Sequence, residues 1–188
     1  MPVLILLNGP PAAGKTTLAR MYVDRHPLAL NLDIDLIRGQ LGGWRDDPGT
    51  AGLAARAIAL AAARTHLSQG HDVVIPQLLC RPDFIEQVER LAHEVGARFH
   101  EIVLLDSREN SLRRFTERSR AAAEPAHTQA QELLDHLGGL DELAAMYDRL
   151  LAVIADRPTA KIVRTEEGKV AQAYRDLVAS LRDEPPPT

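Results

Sequence analysis

Val3-Leu4-Ile5-Leu6-Leu7-Asn8-Gly9-Pro10-Pro11-Ala12-Ala13-Gly14-Lys15-Thr16-Thr17 holds three parts in a fixed order. Residues 3–7 are an unbroken apolar run, the pattern of a strand buried on both faces of a parallel sheet. Residues 9–16 fit G-x-x-x-x-G-K-[ST]. From Lys15 onward the residues favour helix, through Leu18, Ala19, Arg20, Met21 and Tyr22. Phosphate binding needs that order. A glycine-bearing loop lets backbone N–H groups wrap phosphate oxygens, and the helix that follows adds the positive end of its dipole. On this reading Gly9, Ala12, Ala13, Gly14, Lys15, Thr16 and Thr17 hold nucleotide phosphates. Lys15 reaches the β- and γ-phosphates, and the Thr16 hydroxyl ligates Mg²⁺.

The rest of the chain supplies a frame for that loop. Its 188 residues suffice for one domain with a sizeable core. The net charge of -4 speaks against a broad basic surface and so against a dedicated duplex-binding role, while a local basic groove stays open. Cys80 is the only cysteine, so no intrachain disulfide can form and a reducing compartment fits. No apolar run is long enough to span a membrane, and Met1-Pro2 lacks the charged start of a secretion signal. The expected location is therefore cytoplasmic, with no membrane partner.

Short apolar runs at residues 3–7, 28–32, 72–76, 99–105 and 160–164 read as five strands. Helical stretches alternate with them at 15–25, from 35, at 51–69, at 82–95, from 107, at 140–156 and at 170–182. Residues 42–49 read as a loop, and residues 121–140 as short helical pieces at most. Such alternation predicts an α/β fold, a parallel sheet with helices on both faces and right-handed crossovers. Ligands then lie beyond the carboxyl ends of the strands. That edge collects residues 8–16, Asp33, Asp35, residues 77–81, Asp106, Arg164 and Thr165.

Several of these residue types suit phosphoryl transfer, which needs charge neutralisation and a group to accept a hydroxyl proton. Asp33 and Asp35 divide that work naturally, one at the metal and one at the acceptor. Arg38, one turn beyond Asp35, clamps an acceptor or the transferring phosphate. The plainer alternative has Asp35 capping a helix and pairing with Arg38. Asp106 follows four apolar residues and looks like a Walker B acid, but Asp33 is preferred for the metal and Asp106 is read as a turn or capping residue. Trp44 either lines the acceptor pocket or packs under its loop. Gln77 and Arg81 are candidate acceptor contacts. Arg113, Arg114, Arg118 and Arg120 run towards the segment at 121–130, where an arginine-bearing flap would cover the nucleotide, or they form a solvated helix face.

These motifs resemble the small P-loop kinases: the shikimate- and gluconate-kinase group, chloramphenicol phosphotransferase, zeta toxins and the kinase domain of polynucleotide kinase. The carriers are residues 9–16, Asp33-Ile34-Asp35, Asp35-x-x-Arg38 and the Arg-rich helix before a lid. The resemblance implies one nucleoside-monophosphate-kinase-like domain with sheet order 2-3-1-4-5 and a lid at about residues 118–137. It implies Asp33 at the metal, Asp35 as general base and Arg38 on the acceptor. Arg118 becomes the lid arginine, with Arg114 and Arg120 as rivals, and Arg164 lies near the adenine. No shikimate-specific arginine set is present, so the acceptor does not carry over.

The expected activity is an ATP- and Mg²⁺-dependent phosphotransferase acting on a hydroxyl of a small molecule, in a monomer or homodimer. Alternatives are a polynucleotide 5′-hydroxyl kinase and a non-catalytic ATP-binding regulator. A GTPase is disfavoured because no Asn-Lys-x-Asp segment is present.

Overall fold

A computed structural model describes residues 1–121 and 139–182. Its elements are β1 (Val3–Asn8), α1 (Lys15–Val23), β2 (Leu30–Asn31), α2 (Ile34–Gly39), α3 (Pro48–Ser68), β3 (Val73–Pro76), α4 (Pro82–Glu94), β4 (Arg98–Leu105), α5 (Arg108–Ala121), α6 (Gly139–Ala155), β5 (Lys161–Arg164) and α7 (Val170–Ser180). The strands form one sheet in the order β2-β3-β1-β4-β5, and every pairing is parallel. This is the order and the class that the motifs implied.

β1 lies at the centre, and all six of its residues are buried. Alternation along the strand divides them between two cores. Leu4 and Leu6 join Val73, Ile75 and the inner faces of α3 and α4 on one side. Val3, Ile5 and Leu7 join Val74, Ile102 and residues of α1 and α7 on the other. A strand covered on both faces has no polar side to show, hence its uniform apolar run. On α3, Ala51, Ala55, Ala59, Ala63 and Leu67 are the buried positions. Their spacing of four puts small side chains on one stripe, so the helix backbone can approach the core closely.

Two boundaries differ from the sequence expectation for local reasons. β2 keeps only Leu30–Asn31, because Leu28 adopts φ 62° and the Ala29 N–H bonds the His26 carbonyl, which spends the preceding residues on a turn. α3 starts at Pro48, three residues early. The Asp47 carboxylate accepts from Thr50 N at 3.0 Å, and Pro48 suits the first turn because its missing N–H is not needed there. Ser107 does cap α5, its Oγ accepting from Asn110 N at 3.1 Å.

Arg157, just past α6, bonds Glu101 of β4 and Glu89 of α4, tying three elements together below the sheet. Among the described residues no helix is long and apolar enough to cross a membrane. Most of the expected lid at 118–137, with His127, lies outside the described residues, as does the tail from residue 183.

Candidate functional site

The loop from Gly9 to Gly14 leaves β1 at the carboxyl edge of the sheet and turns into α1. Gly9 has φ +146°, and a Cβ there would lie 2.5 Å from the Leu104 carbonyl oxygen. Only a residue without a side chain lets the loop pass β4 this closely. Gly14 is left-handed at φ 91°, and no side chain caps the first turn of α1. That turn also lacks an acidic residue. Backbone N–H groups and the positive helix end are thereby left for an anion. Lys15 Nζ donates to the carbonyls of Gly9 at 2.7 Å and Pro10 at 2.8 Å, arching over the loop. Thr16 and Thr17 are exposed.

Asp33 and Asp35 follow β2 at the same edge, with different surroundings. Asp33 is the cap of α2, its Oδ1 accepting from Asp35 N at 3.0 Å and Leu36 N at 3.3 Å. Burial, then the Asp35 charge, push its carboxyl above the usual carboxylate range, while those two N–H groups and the Lys15 charge pull the other way. The capping role thus falls to Asp33. Asp35 keeps an exposed carboxylate, 3.0 Å from Arg38 Nη1. The Arg38 guanidinium lies 5.2 Å from the Trp44 ring centre and that of Arg45 lies 4.5 Å from it. Trp44 is buried. Its ring carries both guanidinium groups. Arg38 Nε is buried without a hydrogen-bond partner.

The loop after β3 brings the next candidates. Gln77 N continues the ladder to Leu7 O at 3.0 Å, and Gln77 Oε1 is buried without a partner. Arg81 is exposed at the cap position of α4. Cys80 Sγ lies 3.4 Å from the Met146 carbonyl of α6. Burial raises this thiol, and the charges of Arg149 and Lys15 oppose the rise.

On the β4 side, Arg114 Nη2 sits 2.8 Å from Asp106 Oδ2. Asp106 also accepts from Ser107 N at 2.7 Å and Asn110 Nδ2 at 2.9 Å through Oδ1, and its carbonyl accepts from Tyr147 OH at 2.7 Å. Arg113 turns outward to Glu117 and Glu167. Arg118 and Arg120 belong to α5, and their side chains lie outside the described residues. Phe115 of α5 and Leu143 of α6 pack against Ala12 of the loop. Arg164 is exposed at the end of β5, and the next residue bonds Leu105 O through its N–H at 2.8 Å.

The structure thus gathers Lys15, Asp33, Asp35, Arg38 and Gln77 at one edge, with Arg114 drawn into a separate contact. Sequence reasoning missed Asn8, whose only signal was a polar residue closing an apolar strand. It also missed Tyr147, which no local pattern announces.

Among the described residues no group of three or more His, Cys, Asp or Glu could hold a metal ion. The donors here still fit Mg²⁺, which binds through one or two protein oxygens plus phosphate oxygens. Thr16, in the uncapped first turn of α1, and Asp33, just beyond the carboxyl end of β2, offer hard oxygens of that kind.

A protein-family model described as an AAA domain matches residues 4–143. No curated protein matches the chain. Solved structures do. A candidate kinase from Chloroflexus aurantiacus j-10-fl is 21% identical at TM-score 0.67, covering 96% of this chain and 99% of that one. A gluconokinase from Sinorhizobium meliloti 1021 is 15% identical at TM-score 0.62, covering 96% and 91%. A chain of the Pnkp1/Rnl/Hen1 RNA repair complex is 16% identical at TM-score 0.67, covering 84% of this chain. The present chain spans only 47% of that last one.

Proposed function

This chain belongs to the AAA domain family and has a P-loop kinase fold, and from that premise we propose that it is an ATP-dependent phosphotransferase that moves the γ-phosphoryl group to a hydroxyl of a small molecule. The observation that carries the proposal is the geometry of the phosphate loop. Gly9 passes against the Leu104 carbonyl, the first turn of α1 has neither a side-chain cap nor an acid, and Lys15 arches over the loop to the Gly9 and Pro10 carbonyls.

The loop amides from Gly9 to Thr17, the start of α1 and the Lys15 ammonium hold the phosphates. Thr16 and Asp33 would hold Mg²⁺, which when bound would neutralise charge on the phosphate oxygens. Asp35 accepts the proton of the acceptor hydroxyl as its oxygen bonds the γ-phosphorus and the bond to the β-phosphate oxygen breaks, releasing ADP. Arg38, supported by Trp44, orients the acceptor, with Gln77 and Arg81 along the same side. Arg118 closes over the phosphates from the lid at about residues 118–137, and Arg164 lies by the base; Arg114, engaged by Asp106, holds α5 against β4 rather than reaching the nucleotide. All of this belongs to one domain.

A second acceptor, a polynucleotide 5′-hydroxyl, is favoured by the two guanidinium groups on the Trp44 ring, one of them paired with Asp35. Salt-dependent binding of 5′-hydroxyl oligonucleotides separates it from the small-molecule reading.

The test is ADP release from Mg·ATP over a panel of hydroxyl acceptors, small and polynucleotide, for the wild type, Lys15→Ala and Asp35→Asn. One acceptor class should stimulate turnover, and both variants should lose it. Tight ATP binding with no stimulated turnover, unchanged by Asp35→Asn, would instead point to a nucleotide-binding regulator.

A further inference from the structure

Asn8 is fully buried, and its amide is shared between two loops. Oδ1 accepts from Gly9 N at 2.8 Å and from Leu79 N at 2.9 Å, and Nδ2 donates to Leu79 O at 3.1 Å. Both backbone polar groups of Leu79 are thus held by one side chain, 71 residues away in sequence. The β1–β3 ladder ends one step earlier, at Gln77 N to Leu7 O. Asn8 therefore extends the sheet by a side chain at the point where both strands become loops.

The residues on either side of this contact are those of the site. Gly9 is held at both ends: its N–H by Asn8 and its carbonyl by Lys15 Nζ at 2.7 Å. It has no room to shift towards β4, because its Cα already faces the Leu104 carbonyl. Leu79 lies between Gln77, whose buried Oε1 has no partner, and Cys80, which contacts α6.

We propose that Asn8 is the positioning residue that couples the phosphate loop to the acceptor loop 77–81, so that an occupied nucleotide site orders the acceptor side. The inference rests on the phosphotransferase reading above. Phosphates draw on the same ammonium that now bonds Gly9 O. Gly9 responds through its backbone, and the N–H on its other side shares an acceptor oxygen with Leu79 N. By linkage the effect is reciprocal: an acceptor seated on 77–81 changes nucleotide affinity by the same factor.

The test is hydrogen–deuterium exchange on the full chain, with and without Mg²⁺ and a non-hydrolysable ATP analogue, for the wild type, Asn8→Ser and Asn8→Asp. In the wild type the nucleotide should slow exchange in both 9–16 and 77–81. In Asn8→Ser the slowing at 9–16 should persist and that at 77–81 should fall by about fivefold or more, the size expected when a hydrogen-bonded link is lost. Asn8→Asp separates coupling from mere packing. A protonated carboxyl can accept from Gly9 N and Leu79 N and donate to Leu79 O, as the amide does, whereas the carboxylate cannot donate. Burial raises the pKa of such a group, so coupling should return at about pH 5 and vanish at about pH 8, each compared with and without nucleotide at the same pH.

A wild type whose nucleotide protects 9–16 and leaves 77–81 unchanged overturns the coupling alone. So does Asn8→Ser with undiminished protection at 77–81. If Asn8→Ser fails to fold, the wild-type and Asn8→Asp comparisons decide. No protection at 9–16 in the wild type overturns the nucleotide reading itself, and the coupling with it.

Discussion

Arg114 and Asp106 form an ion pair of 2.8 Å between the second turn of α5 and the residue after β4, with side chains only 13% and 8% exposed. The acid that resembles a Walker B residue is thus already engaged by an arginine of the same chain. Removing one partner of such a buried pair strands the other charge, which costs about 3–5 kcal/mol. Arg114→Met and Asp106→Leu should each destabilise by that order, Asp106→Leu more, since it also takes two side-chain bonds from Ser107 N and Asn110. The double variant should be more stable than the sum of the two predicts, by about 1 kcal/mol or more. A urea double-mutant cycle reads this directly, and strict additivity would show that the contact contributes nothing.

Asp35 has an exposed carboxylate beside Arg38, as a base open to an arriving hydroxyl requires. Asp35→Asn should lower kcat by about 10²–10⁴-fold, the usual contribution of a positioned base, with nucleotide affinity unchanged. Arg38→Lys keeps the charge but loses the planar group over Trp44, so it should raise the acceptor KM by about tenfold with a smaller change in the nucleotide KM. Steady-state kinetics on the acceptor found by the panel checks both.

Gly9 and Gly70 offer a controlled comparison of loop strain. Both have positive φ, +146° and +87°, but only Gly9 faces a backbone oxygen where a Cβ would go. Gly9→Ala should cost about 3 kcal/mol or more, strain and displacement of the loop together. Gly70→Ala meets nothing within 4 Å and should cost about 1 kcal/mol. Denaturant midpoints for the two variants test the ranking, and equal losses would contradict the close approach of the loop to β4.

His100 of β4 is buried, its Nε2 has no hydrogen-bond partner, and burial with the charges of Lys161 and Arg98 pulls its pKa from 6.5 down to about 4. Below pH 6.5 the unfolded chain takes up a proton that the folded chain refuses. Stability from this residue is therefore complete above about pH 6.5, falls as the pH drops, and levels off below about pH 4. The full effect is about 3 kcal/mol, at 1.36 kcal/mol per unit. His100→Gln should flatten that part of the stability–pH curve, measured by denaturation at a series of pH values.

The candidate site was readable to different depths at different residues. The phosphate loop stands in the sequence because its requirements are local: a turn bounded by two glycines, a lysine and a helix start within nine residues. Asp33 and Asp35 were visible as a pair, but which of them caps α2 was not. Either could have capped α2, and only the backbone at Asp33, extended at φ -81° and ψ 110°, shows which one does. Arg114 read as a rival to Arg118 for the lid arginine, one of four arginines along α5. Its contact with Asp106 separates it from Arg113, which faces solvent-exposed glutamates.

The sequence by itself determined the strand–loop–helix start, the alternation of strands and helices, and through them a parallel sheet with its ligand edge. Those features follow from side-chain periodicity and local backbone preference, which act within a few residues. The tertiary structure alone decided which polar groups meet. Asn8 with Leu79, Asp106 with Arg114 and Tyr147, and Glu101 with Arg157 join residues from separate elements. Such pairings depend on the directions in which buried side chains leave their strands, and a buried polar group must find its partner wherever the packed chain places one.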